Sequence, residues 1–395
     1  MNQQNCFGLD YASGSATDIR FDRMLTQVEP LIAPMHTSQY VAPGFIDVQV
    51  NGFAGVDYCS PVTPHDEIAR SVRAQFATGV TRLFPTVITG SYDDMAGAVR
   101  NLARAKAALG AEGRAMEGFH MEGPHISPED GPRGAHPRGC VRPPDVEEFK
   151  RWIDLSDGHL KLVTVAPEWP GISSYIEAAV GAGVVVSIGH TGANAQQLAD
   201  AVSAGATMST HLGNGAHAVM ARHPNYIWEQ LADDRLAASF IVDGIHLPKS
   251  FIKVALRAKG IERSVLVTDA VMPAGCQPGR YRLGEVDVEL HADDRVTLVG
   301  QDRLAGSSLK MHRGIANLMT LAGLSLTEAV TMATRNPARV CRVPGRQRGL
   351  APGERADLVL FELNPATRAI QVNEVFVDGD RVFFRTQLGE TPYVS

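Results

Sequence analysis

The chain has 395 residues, of which 44 % are hydrophobic and 20 % are charged, as in ordinary globular proteins with a large buried core. A formal net charge of −6 argues against nucleic acid or a membrane surface as a partner. The five cysteines lack paired spacing, which predicts reduced thiols in a cytoplasmic protein and no disulfide framework. Neither a signal-peptide pattern at the amino terminus nor an apolar run of about 18 residues is present.

Taken in chain order, residues 1–42 are irregular and contain β-prone pieces such as residues 18–24 (DIRFDRM). Short apolar runs rich in Val, Ile and Phe then alternate with segments of helical period. Residues 279–305 interrupt this alternation and predict an inserted β-hairpin, and residues 349–389 predict a β-meander with Gly, Pro and Asp-Gly turns. The predicted strands lie within residues 43–52, 80–90, 115–123, 160–168, 184–192, 206–214, 236–246 and 264–271.

Eight strand–helix repeats predict a parallel sheet closed as a (β/α)8 TIM barrel over residues 43–348. An open doubly wound sheet is the alternative, but the first strand is not followed by the glycine-rich phosphate turn typical of that fold. We expect the two chain ends, residues 1–42 and 349–395, to combine into one small β-sandwich domain beside the barrel.

Polar residues follow most of the predicted strands at the point where each strand ends. In a TIM barrel the carboxyl ends of the strands form the mouth that carries the active site. These side chains are therefore expected to point into one mouth: Gln49 and Asn51 after the first strand, Glu122 after the third, His190 after the fifth, His211 after the sixth, His246 after the seventh and Asp269 after the eighth.

One carboxylate and two imidazoles suit a single divalent ion, Zn²⁺ first and Fe²⁺ second, with a coordination position left open for water. Taken singly, each residue has a simpler interpretation: a histidine at a core edge, a surface glutamate, or an aspartate that caps the next helix. Their recurrence at successive strand ends favours metal-assisted hydrolysis, in which Asp269 would take a proton from water and return it to the leaving group.

Several motifs, in this order, resemble the N-acetylglucosamine-6-phosphate deacetylase family of the amidohydrolase superfamily. The resemblance extends from about residue 43 to the carboxyl terminus. The motifs are PGFIDVQVNG, GFHMEGPHIS followed by RGAHP, SIGHT, THLGNGAH, IVDGIH, LVTDA, LAGSSLKM and RNPAR.

The resemblance implies a role for each matching position. Glu122, His190 and His211 match metal ligands, Asp269 matches the catalytic acid/base, and His246 matches a histidine that contacts the substrate. Arg222 matches an arginine that binds the substrate phosphate and that can reach across a dimer interface, which implies a homodimer. The other positions implied to contact substrate are Gln49, Ala135, His136, Asn214, Gly215, Leu304, Ala305 and Gly306.

The chain departs from the family pattern in places. Many amidohydrolases carry His-x-His after the first strand and hold two metal ions, whereas this chain has Gln49 and Asn51 there, so we expect one ion and a Gln49 free to contact water or substrate. The run HLGNGAH lacks the usual aromatic residue and methionine and gains His217, and His125 replaces an apolar residue. These changes concern the wall of the sugar pocket.

The resemblance implies a small-molecule amino-sugar phosphate as substrate and acetate as a product. A related amidohydrolase acting on another N-acyl or cyclic amide, on the galacto epimer or on a non-phosphorylated amide is the alternative. A non-catalytic binding protein on the same fold is a third hypothesis, but the complete set of ligand and acid/base residues argues against it.

Overall fold

The computed structural model describes residues 3–31, 37–283, 286–386 and 389–391. The strands, in chain order, are β1 (Gln4–Asp10), β2 (Ala16–Phe21), β3 (Leu25–Pro30), β4 (Gln39–Pro43), β5 (Phe45–Val50), β6 (Gly52–Phe53), β7 (Val56–Asp57), β8 (Val80–Ile88), β9 (Phe119–Glu122), β10 (Leu160–Val165), β11 (Val185–Ile188), β12 (Met208–Ser209), β13 (Ala237–Ile241), β14 (Ser264–Val267), β15 (Gly279–Leu283), β16 (Val286–Leu290), β17 (Val296–Leu298), β18 (Leu358–Leu363), β19 (Ile370–Val377), β20 (Asp380–Thr386) and β21 (Gly389–Thr391).

The α-helices lie mostly between the strands of the central sheet, at the segments of helical period. They are α1 (His65–Phe76), α2 (Tyr92–Ala108), α3 (Ala111–Ala115), α4 (Val146–Leu155), α5 (Ile172–Gly181), α6 (Ala195–Ala204), α7 (Tyr226–Ala232), α8 (Lys249–Lys259), α9 (Met311–Asn317), α10 (Leu326–Ala333) and α11 (Arg335–Val340). Side-chain caps satisfy free backbone N–H groups at the first turn of several helices. At the start of α6, for example, Asn194 and Gln197 form a capping box, in which each side chain accepts a hydrogen bond from the backbone N–H of the other residue.

The central sheet has eight parallel strands in the order β14, β13, β12, β11, β10, β9, β8 and β5. Its two outer strands meet, because Val50 forms a parallel bridge with Ala270 just beyond the end of β14. The backbone N–H of Asp269 donates to the Gln49 carbonyl at 2.9 Å, and that of Asn51 donates to the Ala270 carbonyl at 2.7 Å. The sheet is thus closed as the predicted TIM barrel, and the open doubly wound alternative is wrong.

Branched and aromatic side chains from the barrel strands fill the barrel interior, as expected for strands that are buried on both faces. One buried cluster contains Ile46, Phe84, Leu162, Ile241 and Val267 among its members. A larger buried cluster lies between the sheet and the surrounding helices. The packed interior makes the strand ends a rigid platform for the polar residues that follow them.

The two chain ends form a second sheet of eight strands in the order β21, β20, β19, β18, β4, β1, β2 and β3. Strand β4 joins the two halves, since it pairs in parallel with β1 and antiparallel with β18. This confirms a β-rich domain built from both ends, and its strands are hydrogen-bonded in one continuous sheet. The exact domain boundaries at residues 42 and 348 remain a prediction.

A buried ionic network joins this sheet to the bottom of the barrel. Arg82 on β8 donates to both carboxylate oxygens of Asp357, at 2.7 and 2.8 Å. Arg346 also bonds to Asp357 and to the Gly44 carbonyl. The three charged side chains are each 2 % exposed or less, so the network ties the start of the barrel to the start of β18.

The predicted insertion after the eighth barrel strand contains β15, β16 and β17 in an antiparallel three-stranded sheet. Residues 284–285 of this predicted insertion lie outside the described residues. Its apolar face packs on Val271, Met272 and Ala305, which places the insertion against the chain that follows Asp269. Among the described residues, the structure contains no helix long and apolar enough to cross a membrane.

Candidate active site

The polar residues at the strand ends meet at the carboxyl mouth of the barrel. Glu122 is the last residue of β9, and His190, His211 and Asp269 each follow a strand by two residues. These last three residues have positive backbone φ angles of 51°, 27° and 49°. Non-glycine residues rarely adopt this left-handed conformation, and such strain concentrates at functional sites, where the surrounding structure imposes it.

Glu122 is the centre of this cluster. Its Oε1 atom lies 2.8 Å from Nε2 of His211 and 3.1 Å from Nε2 of His190. All three side chains are buried. Burial alone would raise the pKa of Glu122, but the hydrogen bonds and positive charge that the two imidazoles supply when they are protonated outweigh burial and hold that pKa well below its usual range.

The orientation of the His190 ring is set by a backbone carbonyl. Its Nδ1 lies 2.7 Å from the Pro132 carbonyl oxygen, so Nδ1 must carry the proton. In the neutral ring, Nε2 then presents a lone pair to Glu122 Oε1, which is itself an acceptor. Two facing lone pairs are satisfied by a cation between them. A histidine fixed through its second nitrogen in this way is the usual arrangement of a metal ligand.

Two further observations describe the nitrogen and oxygen atoms at this place. Nδ1 of His211 is buried without a hydrogen-bond partner among the described residues. The ligand atoms of Glu122, His190 and His136 lie within 4.8 Å of one another. The imidazole and carboxylate donors suit Zn²⁺ or Fe²⁺ better than Mg²⁺ or Ca²⁺, which prefer sets made of oxygens. The residues within reach of one shared ion thus include Glu122, His136 and His190, and these donors fit such an ion. The predicted ligand set of Glu122, His190 and His211 stays a prediction.

His136, predicted to contact substrate, lies beside this cluster. Its ring centroid is 4.4 Å from that of His190, and its Nδ1 is 2.8 Å from the Thr89 hydroxyl. Burial, followed by the nearby charge of His190, lowers the pKa of His136 to about 3. A neutral imidazole next to the Glu122 cluster is available as an additional ligand to a metal ion or as a hydrogen-bonding group.

Asp269 faces the cluster from the end of the eighth barrel strand. Its Oδ1 accepts hydrogen bonds from Asn51 Nδ2 at 2.7 Å and from Gln49 Nε2 at 3.2 Å. Gln49 Nε2 also donates to Glu122 Oε1 at 2.9 Å and so links the two carboxylates. Burial, followed by the charge of Glu122, raises the pKa of Asp269 to about 6. This partly buried acid can both accept and return a proton near neutral pH.

His246 is held by Asp243, a residue that the sequence analysis does not single out. Asp243 Oδ2 accepts from His246 Nδ1 at 2.6 Å, and Oδ1 accepts from two backbone N–H groups, those of Ile245 and His246. The ring is thereby fixed with its proton on Nδ1, which leaves Nε2 free. The signal in the sequence is an Asp three residues before the His and two residues after the end of β13.

Several other residues that are predicted to contact substrate lie in the loops around the mouth of the barrel. Asn214 and Gly215 follow His211, and a Cβ atom added at Gly215 would lie 2.6 Å from His190 Nδ1. Residues 304–306 pass beside the end of the eighth strand, since Gly306 lies against Val271 and the neighbouring Ser307 N–H donates to the Asp269 carbonyl at 3.1 Å. Ala135 packs against the inserted sheet.

Arg222 is not brought into the cluster. It lies in an exposed part of the loop that joins β12 to α7. Within the described part of the chain, its guanidinium group forms no hydrogen bond or salt bridge. The backbone carbonyl of Arg222 accepts a bond from Asn225, so only the main chain of this residue is fixed.

The unusual run after His211 has a structural explanation. At Gly213 an added Cβ would lie 2.8 Å from both Leu247 and the ring of Phe251. The Phe251 ring therefore occupies the space that a side chain at position 213 would take. His125 is buried between Trp152 and Tyr175, with ring centroids 5.7 and 4.9 Å away, so it belongs to the packing behind β9.

A closed eight-stranded barrel with a carboxylate–imidazole cluster and a separate, partly buried acid at its mouth defines a barrel hydrolase. The amidohydrolase family model matches residues 40–382. This match spans most of the chain, and the chain belongs to the amidohydrolase family.

Relatives and solved structures are more specific. The chain is 33 % identical over 323 residues to N-acetylglucosamine-6-phosphate deacetylase of Bacillus subtilis, covering 80 % of this chain and 79 % of that protein. It is 30 % identical to N-acetylgalactosamine-6-phosphate deacetylase of Escherichia coli O157:H7, covering 92 % and 93 %. The N-acetyl-D-glucosamine-6-phosphate deacetylase of Mycobacterium smegmatis, solved as an aspartate-to-alanine mutant with N-acetyl-D-glucosamine-6-phosphate, superposes with a TM-score of 0.83 at 32 % identity, covering 93 % and 94 %.

Proposed function

We propose that this protein removes the acetyl group from N-acetylglucosamine 6-phosphate, giving the amino-sugar phosphate and acetate. The observation that carries the proposal is the convergence of Glu122, His190 and His211 next to Asp269 in one buried mouth. Curated deacetylases of acetylated amino-sugar phosphates at 30–33 % identity support the substrate class.

Glu122, His190 and His211 would hold one divalent ion, for which Zn²⁺ is the first choice and Fe²⁺ the second. When bound, such an ion supplies positive charge that polarises the acetamide carbonyl and acidifies a water molecule. The chain contributes the orientation of the ligands, because the Pro132 carbonyl fixes His190 and Gln49 fixes one oxygen of Glu122.

Asp269 is the proposed acid/base. Its Oδ1 is occupied by Asn51 and Gln49, so Oδ2 is the atom that would receive a proton from the attacking water. The water oxygen bonds to the acetamide carbon, and the same proton then passes to the amide nitrogen as the carbon–nitrogen bond breaks. His246, whose Nδ1–H is held by Asp243, would donate to the carbonyl oxygen from Nε2 in its doubly protonated form, with the Asp243 carboxylate balancing the charge of the ring as negative charge develops on the oxygen.

The substrate phosphate requires a cation. We assign this role to Arg222, whose planar guanidinium offers paired donors to phosphate oxygens, together with Asn214 and Gly215. The exposed position of Arg222 suits contact with a pocket in its own subunit or in the second subunit of a homodimer. The remaining proposed contacts to the sugar are Gln49, Ala135, His136, His246, Leu304, Ala305 and Gly306. We also propose that the protein acts in the cytoplasm.

The galacto epimer is the second candidate substrate, because curated N-acetylgalactosamine-6-phosphate deacetylases are 30–32 % identical to the chain. The test is acetate release by metal-reconstituted protein from N-acetylglucosamine 6-phosphate, its galacto epimer and unphosphorylated N-acetylglucosamine. The proposal expects the gluco phosphate to give the highest kcat/KM. Equal turnover without phosphate, or no turnover of any of the three by protein that contains metal, would contradict it.

A further inference from the structure

His217 lies in the loop between β12 and α7 and touches parts of the mouth that come from other strands. Its Nε2 is 3.1 Å from Glu129 Oε2, in the loop that follows β9. A Cβ added at Gly131 would lie 3.1 Å from His217 Cα, and one added at Gly192 would lie 3.2 Å from His217 Cε1. The residue therefore fills the space between the loop after β9 and the loop after β11.

Tyr226, the first residue of α7, fixes the ring. The backbone N–H of His217 donates to the Tyr226 hydroxyl at 2.7 Å, and that hydroxyl is 3.0 Å from His217 Nδ1. A hydroxyl that accepts from the backbone has its own proton available for Nδ1. The ring then carries its proton on Nε2 and donates it to Glu129. His217, Glu129 and Tyr226 form a continuous hydrogen-bonded unit, called here the His217 bridge.

The two loops joined by this bridge carry many of the groups that form the site. The loop after β9 contains Pro132, whose carbonyl orients His190, and also Ala135 and His136. The loop after β12 contains Asn214 and Gly215, and Gly215 lies against the ring of His190. A separation of these loops would widen the mouth on the side of the proposed sugar-binding groups.

We propose that His217 is a positioning residue, which holds these two loops at the spacing that binds the sugar phosphate. The inference rests on the proposed function and adds a determinant of substrate affinity to it. His217 does not touch the Glu122 cluster, since its described polar partners are Glu129 and Tyr226. Loss of the bridge should therefore weaken substrate binding and leave the chemical step nearly intact.

The experiment compares His217→Ala, Glu129→Ala and the double variant in metal-reconstituted protein. Each single variant is expected to raise KM three- to tenfold, with kcat within twofold of the parent. The double variant is expected to have the same KM as the single variants, because each single substitution already removes the same hydrogen bond between His217 and Glu129. His217→Gln keeps a donor near the Nε2 position and is expected to restore most of the affinity. Glu147→Ala and Lys150→Ala, which break an exposed pair 2.7 Å apart on α4, are matched controls and should leave KM unchanged.

An unchanged KM, an additive double variant, or a kcat that falls together with the melting temperature would overturn the inference. Cleavage by trypsin after Arg133 gives a readout independent of turnover, because this residue is 9 % exposed and lies in the loop after β9. We expect at least fivefold faster cleavage in His217→Ala than in the parent, and equal rates would also count against the bridge. Should the parent fail to deacetylate any acetylated sugar phosphate, the proposed function fails and the trypsin rates still decide whether the bridge exists.

Discussion

Asn51 donates a 2.7 Å hydrogen bond to Oδ1 of Asp269 across the closing seam of the barrel. The two residues are brought together by main-chain bonds between the ends of β5 and β14. This bond fixes one oxygen of a partly buried carboxylate and leaves the other available to exchange a proton. The seam of the barrel is thus also the support of the proposed acid/base.

The first prediction concerns Asp269→Asn. The amide oxygen can still accept from Asn51 and Gln49, so the shape of the site and the metal content should be retained. The amide cannot accept a proton from water, and we expect kcat to fall by about 10²- to 10⁴-fold. Acetate release measured beside metal content tests this. A variant with full metal and parental kcat would remove Asp269 from the mechanism.

The second prediction concerns Gly215, which lies against the ring of His190. It has a φ of +56°, and an added Cβ would lie 2.6 Å from His190 Nδ1. Gly215→Ala should displace the ring from the Pro132 carbonyl, and we expect metal affinity to fall by about 10- to 100-fold, as for other losses of support behind a ligand. Metal titration with a competing chelator measures the change.

Gly158→Ala is a matched control for that variant. Gly158 also has a left-handed φ of +71°, but an added Cβ would meet no atom within 4 Å. The backbone strain is then shared by both variants, while the steric effect on His190 is present in only one. If Gly158→Ala weakened metal binding as much as Gly215→Ala, contact with His190 would not be the cause.

The third prediction concerns removal of the metal. An ion that binds only the folded chain raises the free energy of unfolding. The increase grows with the logarithm of the ratio of the metal concentration to Kd. Dialysis against a chelator should therefore abolish acetate release and lower Tm, and addition of Zn²⁺ should restore both. Glu122→Gln, which removes the central carboxylate, should show a Tm that no longer responds to Zn²⁺. An unchanged Tm in the parent would argue against a bound ion.

The sequence predicts Glu122, His190, His211 and Asp269 as neighbours because the carboxyl ends of parallel strands in a barrel share one mouth. The supports of these residues could not be predicted in the same way. Pro132 orients His190 through its main-chain carbonyl oxygen. Because every residue has such an oxygen, the residue type at this position does not indicate the contact. Asp243 and Thr89 are short polar residues of a kind that is common in loops, and only the fold shows that they bond to His246 and His136.

The sheet formed by the two chain ends shows the same limit of prediction from sequence, here for the pairing of whole strands. The β-prone pieces at both ends predict strands, but a strand pattern does not identify its partner. Strand β4 pairs with β18 through contacts such as Val41 with Leu360, more than 300 residues apart. Such pairing depends on the whole fold, because β-propensity reports how a side chain fits a half-buried surface and not which strand lies beside it.

The last prediction concerns the network that joins the two sheets. Asp357 lies between the guanidinium groups of Arg82 and Arg346, with all three side chains buried. Burial raises the pKa of Asp357, but the charges of the two arginines outweigh burial and hold the pKa well below its usual range. Asp357→Asn keeps the shape of the side chain, removes the carboxylate that pairs with the buried Arg346, and leaves the buried Arg82 with Asp378 and Glu117 as its remaining carboxylate partners. We expect it to lower the free energy of unfolding by about 3–5 kcal/mol, measured by urea denaturation at neutral pH.

The pH dependence of this loss has a defined sign. A carboxyl group whose pKa is depressed by folding contributes stability that is fully present above the unfolded value of about 3.9, and that is lost as pH falls toward the folded value. The difference between the parent and Asp357→Asn should therefore be constant from pH 7 to about 5 and shrink below about 4. Glu147→Gln, in an exposed pair with Lys150, should change stability by less than about 0.5 kcal/mol at every pH. If Asp357→Asn behaved like this control, the network would not be what holds the small sheet on the barrel.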